Sequence, residues 1–157
     1  MKPSIKKGIS FGLTSGVITT LGVVVGLDSA TESSSIVLSG ILVIAIADAL
    51  SDALGIHISE ESTNGHNHHE VWESTLYTFL SKFFIALTFV IPVLLFSIHF
   101  AIFASILWGL FLITTLSYYI SKQQGIKPFE VIAEHLLITV AVIVITYYVG
   151  GFVGSIS

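Results

Sequence analysis

Two carboxylates, Asp48 and Asp52, stand inside an apolar run long enough to cross a bilayer. An acid at membrane depth costs on the order of 2.5–3.5 kcal/mol on insertion scales, and it commonly marks an ion or proton path. The four-residue spacing puts both side chains on one face of a helix. Two carboxylates in a low dielectric resist simultaneous ionisation, so at least one keeps its proton until a cation arrives. A divalent ion stabilises both anions and expels the protons, which links metal binding to proton release. Just downstream, segment 59–74 gathers Glu60, Glu61, His66, His68, His69, Glu70 and Glu73 around an Asn64-Gly65 turn signal. A short tract of this composition can collect metal at the mouth of a path. Its order lacks His-Glu-x-x-His, so a zinc-protease helix is absent.

Other polar residues lie in the remaining apolar runs. Ser15 and Thr19 in the first run either line the path or bond back to their own helix. Ser59 shares the helical face of Asp48, Asp52 and Gly55 and is expected to supply a further oxygen. Glu130 and Glu134 in the last run repeat the four-residue spacing beside His135, and Glu134 is a candidate additional carboxylate. Lys82 either snorkels or pairs with an acid. With no cysteine, and with Met only at position 1, any metal site must use carboxylate, imidazole, hydroxyl or carbonyl groups. That set favours Mn²⁺, Fe²⁺ or Zn²⁺.

The elements that carry these residues follow from apolarity. Only 10% of the chain is charged, against roughly 25% in a soluble domain. Five runs have bilayer length: 8–27, 35–58, 75–98, 100–120 and 129–153. Continuous apolarity without two-residue alternation predicts helices, not a β-barrel. The expected fold is thus an all-α membrane protein, with residues 1–157 forming one domain of five transmembrane helices. The first run is longer than a signal-peptide core and has no clear cleavage site, so it is expected to be a retained span. Pro92 predicts a kink in the third span. Gly8, Gly12 and Gly16, with Gly22 and Gly26, give the first helix two smooth stripes for close packing. All six basic residues are lysines, and a cytoplasmic N-terminus puts every one of them on the inner side, with Lys82 near the inner start of the third span. The C-terminus is then outside. An odd span count prevents two equal inverted halves, and C2 dimerisation is the expected remedy. Net charge −4 argues against nucleic-acid binding.

Three stretches resemble signatures of the vacuolar iron transporter family. Gly12-Leu-Thr-Ser-Gly, continuing through an apolar stretch to Leu27, is similar to its first-helix form Asn-Asp-Gly-Leu-Val-Ser/Thr-Thr. Ala49-Leu-Ser-Asp-Ala-Leu-Gly-Ile-His-Ile-Ser59 is similar to its second-helix form Ala-Leu-Ser-Met-Ala-x-Gly-Glu-Tyr-Val-Ser. Thr146-Tyr-Tyr-Val-Gly150 resembles its closing Thr-Tyr-x-x-Gly. The family's first-helix Asp falls on Ser15, its second-helix Met on Asp52 and its Glu on Ile56. The resemblance implies a dimeric five-helix carrier that exports Fe²⁺ or Mn²⁺ from the cytoplasm in exchange for protons. Its path would run between the first two helices at the dimer interface. Larger family members insert a Glu-rich three-helix metal-binding domain between the second and third spans. Segment 59–74 is too short for one, and its His/Glu cluster would be a reduced counterpart.

The reading from sequence is therefore a divalent-metal/proton exchanger without a resident cofactor and without enzymatic activity, in a prokaryotic inner membrane. Asp48, Asp52, Ser15, Thr19, Ser59 and Glu134 are its candidate path residues. The competing reading is a membrane assembly or metal-sensing protein in which the intramembrane acids only hold helices together.

Overall fold

A computed structural model describes residues 2–63 and 67–156, and the described chain is helical with no strand. Its elements are α1 (Pro3–Thr31), α2 (Ser34–Glu61), α3 (His68–Thr88), α4 (Val90–Leu95), α5 (Ile98–Gln124) and α6 (Pro128–Ile156). With α3 and α4 taken as one bent span, His68–Leu95, five helices are long and apolar enough to cross a membrane. The expected Asn64-Gly65 turn and His66 lie outside the described residues.

Local signals set the helix ends. Pro3 opens α1 and Pro128 opens α6, positions where a missing N–H costs nothing. The Asn67 side chain caps α3 by accepting the Glu70 N–H at 2.9 Å. α5 stops at Gly125, whose φ of 70° is the left-handed turn that glycine adopts without strain. The third span breaks at Phe89, three residues before Pro92. Proline has no N–H to give the Thr88 carbonyl one turn back, so the ladder is interrupted there. The Thr88 hydroxyl donates to Ile85 O at 2.7 Å and accepts from Trp108 Nε1 at 3.0 Å, which ties the break to α5.

α1 is the hub and packs against α2, α3, α5 and α6. Lipid is as apolar as leucine, so helices in a bilayer associate through close contact and polar links instead of hydrophobic burial. Glycines provide that contact on two sides of α1. A methyl group at Gly8 would sit 2.5 Å from Ser74 O, and one at Gly12 would sit 2.6 Å from Thr78 O, both on α3. On the α6 side, Gly150 lies against the Gly26 carbonyl, and a methyl group at Gly154 would come within 2.6 Å of Ala30 O. Val17, Leu21, Val24, Val37, Ile41, Phe89 and Ile113 fill the space between helices.

The short connections make successive spans antiparallel. One end of the bundle carries Lys2, Lys6, Lys7, Lys122 and Lys127; Lys6 and Lys7 share a cavity of about 400 Å³ with Gln124 of α5. The other end carries Asp28, Glu32 and His99. Lys82 departs from the expected position at the start of its span. The helix begins at His68, not at residue 75, because the polar stretch 68–74 belongs to the same helix, so Lys82 falls at mid-span. A Gly12→Val variant should lose about 1–3 kcal/mol through overpacking against α3. Gly55→Ala, which meets nothing within 4 Å, should be nearly neutral; thermal unfolding in detergent reads both.

Candidate functional site

Lys82 organises the site. Its ammonium is almost wholly buried, with the side chain 2% exposed, and it reaches two other helices. It donates to Asp52 Oδ2 and, at 2.9 Å, to the Ser15 hydroxyl of α1. Ser15 in turn donates to Asp52 Oδ2 at 2.6 Å. Asp48 Oδ2 lies 2.6 Å from the same Nζ but makes no aligned hydrogen bond, so charge alone holds that contact. Three oxygens from α1 and α2 thus surround one nitrogen from α3.

The periodicity of α2 explains the arrangement. Val37, Ile41, Ala45, Ala49 and Ala53 form its buried ridge, and Asp48 and Asp52 flank that ridge one residue earlier in each turn. They keep partial exposure, 31% and 23%. Asp48 stands near the middle of α2, roughly 20 Å from either end at 1.5 Å per residue. Ser15 in α1 and Lys82 in the bent span His68–Leu95 are comparably central. With all three groups ionised, two carboxylates and one ammonium leave a net charge of −1. An excess charge with this little access to water favours a nearby counter-ion or proton.

A second polar layer lies at the lysine end. Glu60 is buried and pairs with Lys7 of α1. Glu73 accepts from Lys2 Nζ at 2.6 Å and from Ser4 Oγ at 2.7 Å, and it lies 3.3 Å from His69 Nδ1. Hydrogen bonding to the Glu73 carboxylate holds the Lys2 ammonium above its ordinary range. His57 of α2 contacts the Thr75 hydroxyl of α3 at 2.9 Å, lies 3.4 Å from Glu61 and meets Trp72 edge-on with ring centroids 4.8 Å apart. The His68 ring stacks on Trp72 with centroids 6.3 Å apart.

The residues expected from sequence therefore divide into those brought together and those kept apart. Asp48, Asp52 and Ser15 converge. Thr19 does not join them, because its hydroxyl returns to Ser15 O of its own helix at 3.0 Å. Ser59 is exposed near the end of α2, where its carbonyl accepts the Ser62 and Thr63 hydroxyls; it lies seven residues and about 10 Å along the helix from Asp52. Glu134 is exposed on α6, away from the acids. Its neighbour His135 turns inward and meets the Ser117 hydroxyl of α5 at 2.8 Å.

The segment expected to collect metal is also differently arranged. Glu60 and Glu73 are engaged by lysines, Glu61 faces His57, and Glu70 donates its backbone N–H to Asn67 and accepts the Ser74 hydroxyl at its carbonyl. Among the described residues, no three His, Asp or Glu side chains gather into a metal-binding group. Lys82 takes the pairing alternative expected for it, with two acids at once, and His57 carries contacts not expected from the sequence. A lysine inside an apolar run is the signal for the first; for the second it is the i, i+4 relation to Glu61. No protein-family model matches the chain, and no curated protein matches it.

Replacing Lys82 by Met should destabilise the protein by about 1–3 kcal/mol, less than for a fully buried pair, since two partly exposed carboxylates lose their partner. Adding Asp48→Asn and Asp52→Asn to that variant should recover most of the loss. Thermal unfolding of the detergent-purified single and triple variants measures the difference.

Proposed function

We propose that the protein is a proton-coupled carrier of a divalent transition-metal ion, Fe²⁺ or Mn²⁺, not an enzyme. The observation that carries this reading is the Asp48–Asp52 pair. Two partly accessible carboxylates, with a serine oxygen beside them, lie at the midpoint of helices of membrane length. A doubly charged cargo between the acids matches their charge. When it leaves, the Lys82 ammonium and one added proton restore neutrality. Cargo and protons thus use the same negative charges in turn, which is the requirement for exchange.

Other features support direction and assembly. The five flanking lysines share one end, and the positive-inside rule makes that end cytoplasmic. The C-terminus is then outside, and the reading extends to a prokaryotic inner membrane. At that end Glu61 and His57 stand beside the lysine-paired Glu60 and Glu73, and these acid and imidazole groups line the entry that the carrier reading requires. The resemblance to vacuolar iron transporters supports export from the cytoplasm. The outer faces of α2 and α6 are broadly apolar, as a C2 dimer in lipid requires. In this reading, the pair reaches its second access side at the interface of the two copies.

One observation favours a second reading, a non-transporting assembly or sensing protein. Lys82 contacts both acids while joining α1, α2 and α3, which is what a purely structural lock would do. Transport separates the two. Proteoliposomes enclosing a pH dye should take up Mn²⁺ with an accompanying change in lumenal pH. Asp48→Asn combined with Asp52→Asn should reduce uptake to that of empty vesicles. Unimpaired uptake by the double variant would defeat the site assignment, and no uptake by the wild type would favour the lock.

A further inference from the structure

We infer that the Lys82 ammonium is a tethered stand-in for the cargo. It fills the cation position built by Asp48, Asp52 and Ser15, and a divalent ion must displace it to bind. The inference rests on the carrier reading above and names what that site selects.

The geometry carries the argument. Asp48 Oδ2, Asp52 Oδ2 and Ser15 Oγ all lie within 2.9 Å of one buried Nζ. They come from two helices, while the nitrogen comes from a third on a long flexible stem. A cage of oxygens without nitrogen or sulfur is the donor set of hard cations. His57 is more than one turn along α2 and belongs to the layer at the lysine end, next to Thr75 and Glu61. The charged groups facing Lys82 from α2 are Asp48 and Asp52, and α1 offers it the neutral Ser15 hydroxyl. Farther along the same seam, Glu60 is paired with Lys7.

An occupant already in place sets a threshold for any replacement. Na⁺ or K⁺ brings the same single charge as the ammonium and must first be stripped of water, so it gains little by taking over. A divalent ion gains twice the Coulomb attraction to two carboxylates at the same distance, and it takes over where that gain, with direct ligation by the three oxygens, outweighs its own larger dehydration cost. Lys82 therefore discriminates by charge, and its side chain lowers the affinity for cargo in return for excluding monovalent ions. A structural lock would use the same contacts but would have no use for a cation once the lysine is gone. That difference makes the inference testable without measuring transport.

The test uses purified full-length protein in detergent, with Mn²⁺ and Na⁺ as probes and with thermal unfolding and equilibrium Mn²⁺ binding as readouts. Lys82→Gln should unfold at a lower temperature than the wild type in the absence of divalent ions, and saturating Mn²⁺ should restore it. It should bind Mn²⁺ roughly tenfold or more tightly than the wild type, because the resident competitor is gone. It should also gain a stabilisation by Na⁺ that the wild type lacks. Lys82→Gln that stays unstable in Mn²⁺, or that binds Mn²⁺ no better than the wild type, overturns the inference. Ser15→Ala keeps every charge and remains informative if Lys82→Gln does not fold. It should weaken Mn²⁺ binding roughly tenfold through loss of one oxygen, and unchanged binding would count against the cage. Wild-type Mn²⁺ flux together with these failures removes only the role of Lys82; absence of flux removes the carrier reading itself.

Discussion

A single buried ammonium shared by two carboxylates sets the terms for the rest of the bundle. Breaking one member of such a cluster costs about 1–3 kcal/mol, because the remaining charges stay where water reaches them only in part. Lys82, Asp48, Asp52 and Ser15 must therefore stay within hydrogen-bond reach, and that fixes the relative depth of α1, α2 and α3. A slip of one residue along any of these helices would move a charge about 1.5 Å and rotate it by about 100° away from its partner. The cluster thus acts as a register pin whether or not it also carries an ion.

The glycines of α1 make that pin possible. Lys82 reaches Ser15 because α1 and α3 touch backbone to backbone at Gly8 and Gly12. Larger residues there would push the helices apart by more than the tolerance of a hydrogen bond. The lysine pairs at the other layer, Lys7 with Glu60 and Lys2 with Glu73, join α1 to α2 and α3 along the same seam. Close contact and charge therefore reinforce one another in this half of the molecule.

Much of this was legible in the sequence, for reasons that can be named. Five apolar runs announced the helices, and the spacing of Asp48 and Asp52 placed them on one face. Ser15 and Thr19 were open between facing inward and bonding back to their own helix; the Ser15 hydroxyl reaches Asp52 of α2, while that of Thr19 bonds back. The helix start was less legible. Hydropathy alone trims polar first turns, so Lys82 looked like a rim charge when it stands at mid-span. Glu134 and His135 illustrate a different limit. Adjacent residues on a helix point about 100° apart, so only one of them can face α5, and the Ser117 hydroxyl selects the histidine. Which acid meets which base depends on helix rotation, and that is decided by tertiary packing instead of local pattern.

The α1–α6 seam is built on another principle. Gly26 meets Gly150 and Ala30 meets Gly154 with bare backbone, and the described hydrogen bond across it is a rim contact from Ser29 to Tyr147 O at 2.8 Å. The ion pairs between helices described above all lie on the opposite side of α1. Such a seam holds through van der Waals contact and shape, with Asp28 of α1 set in a cavity between it and residues of α5 and α6. The molecule is in this sense a three-helix block stitched by electrostatics, joined to a two-helix flank whose fit depends on the absence of side chains, so a single added methyl at Gly150 would unseat α6 without touching an ion pair.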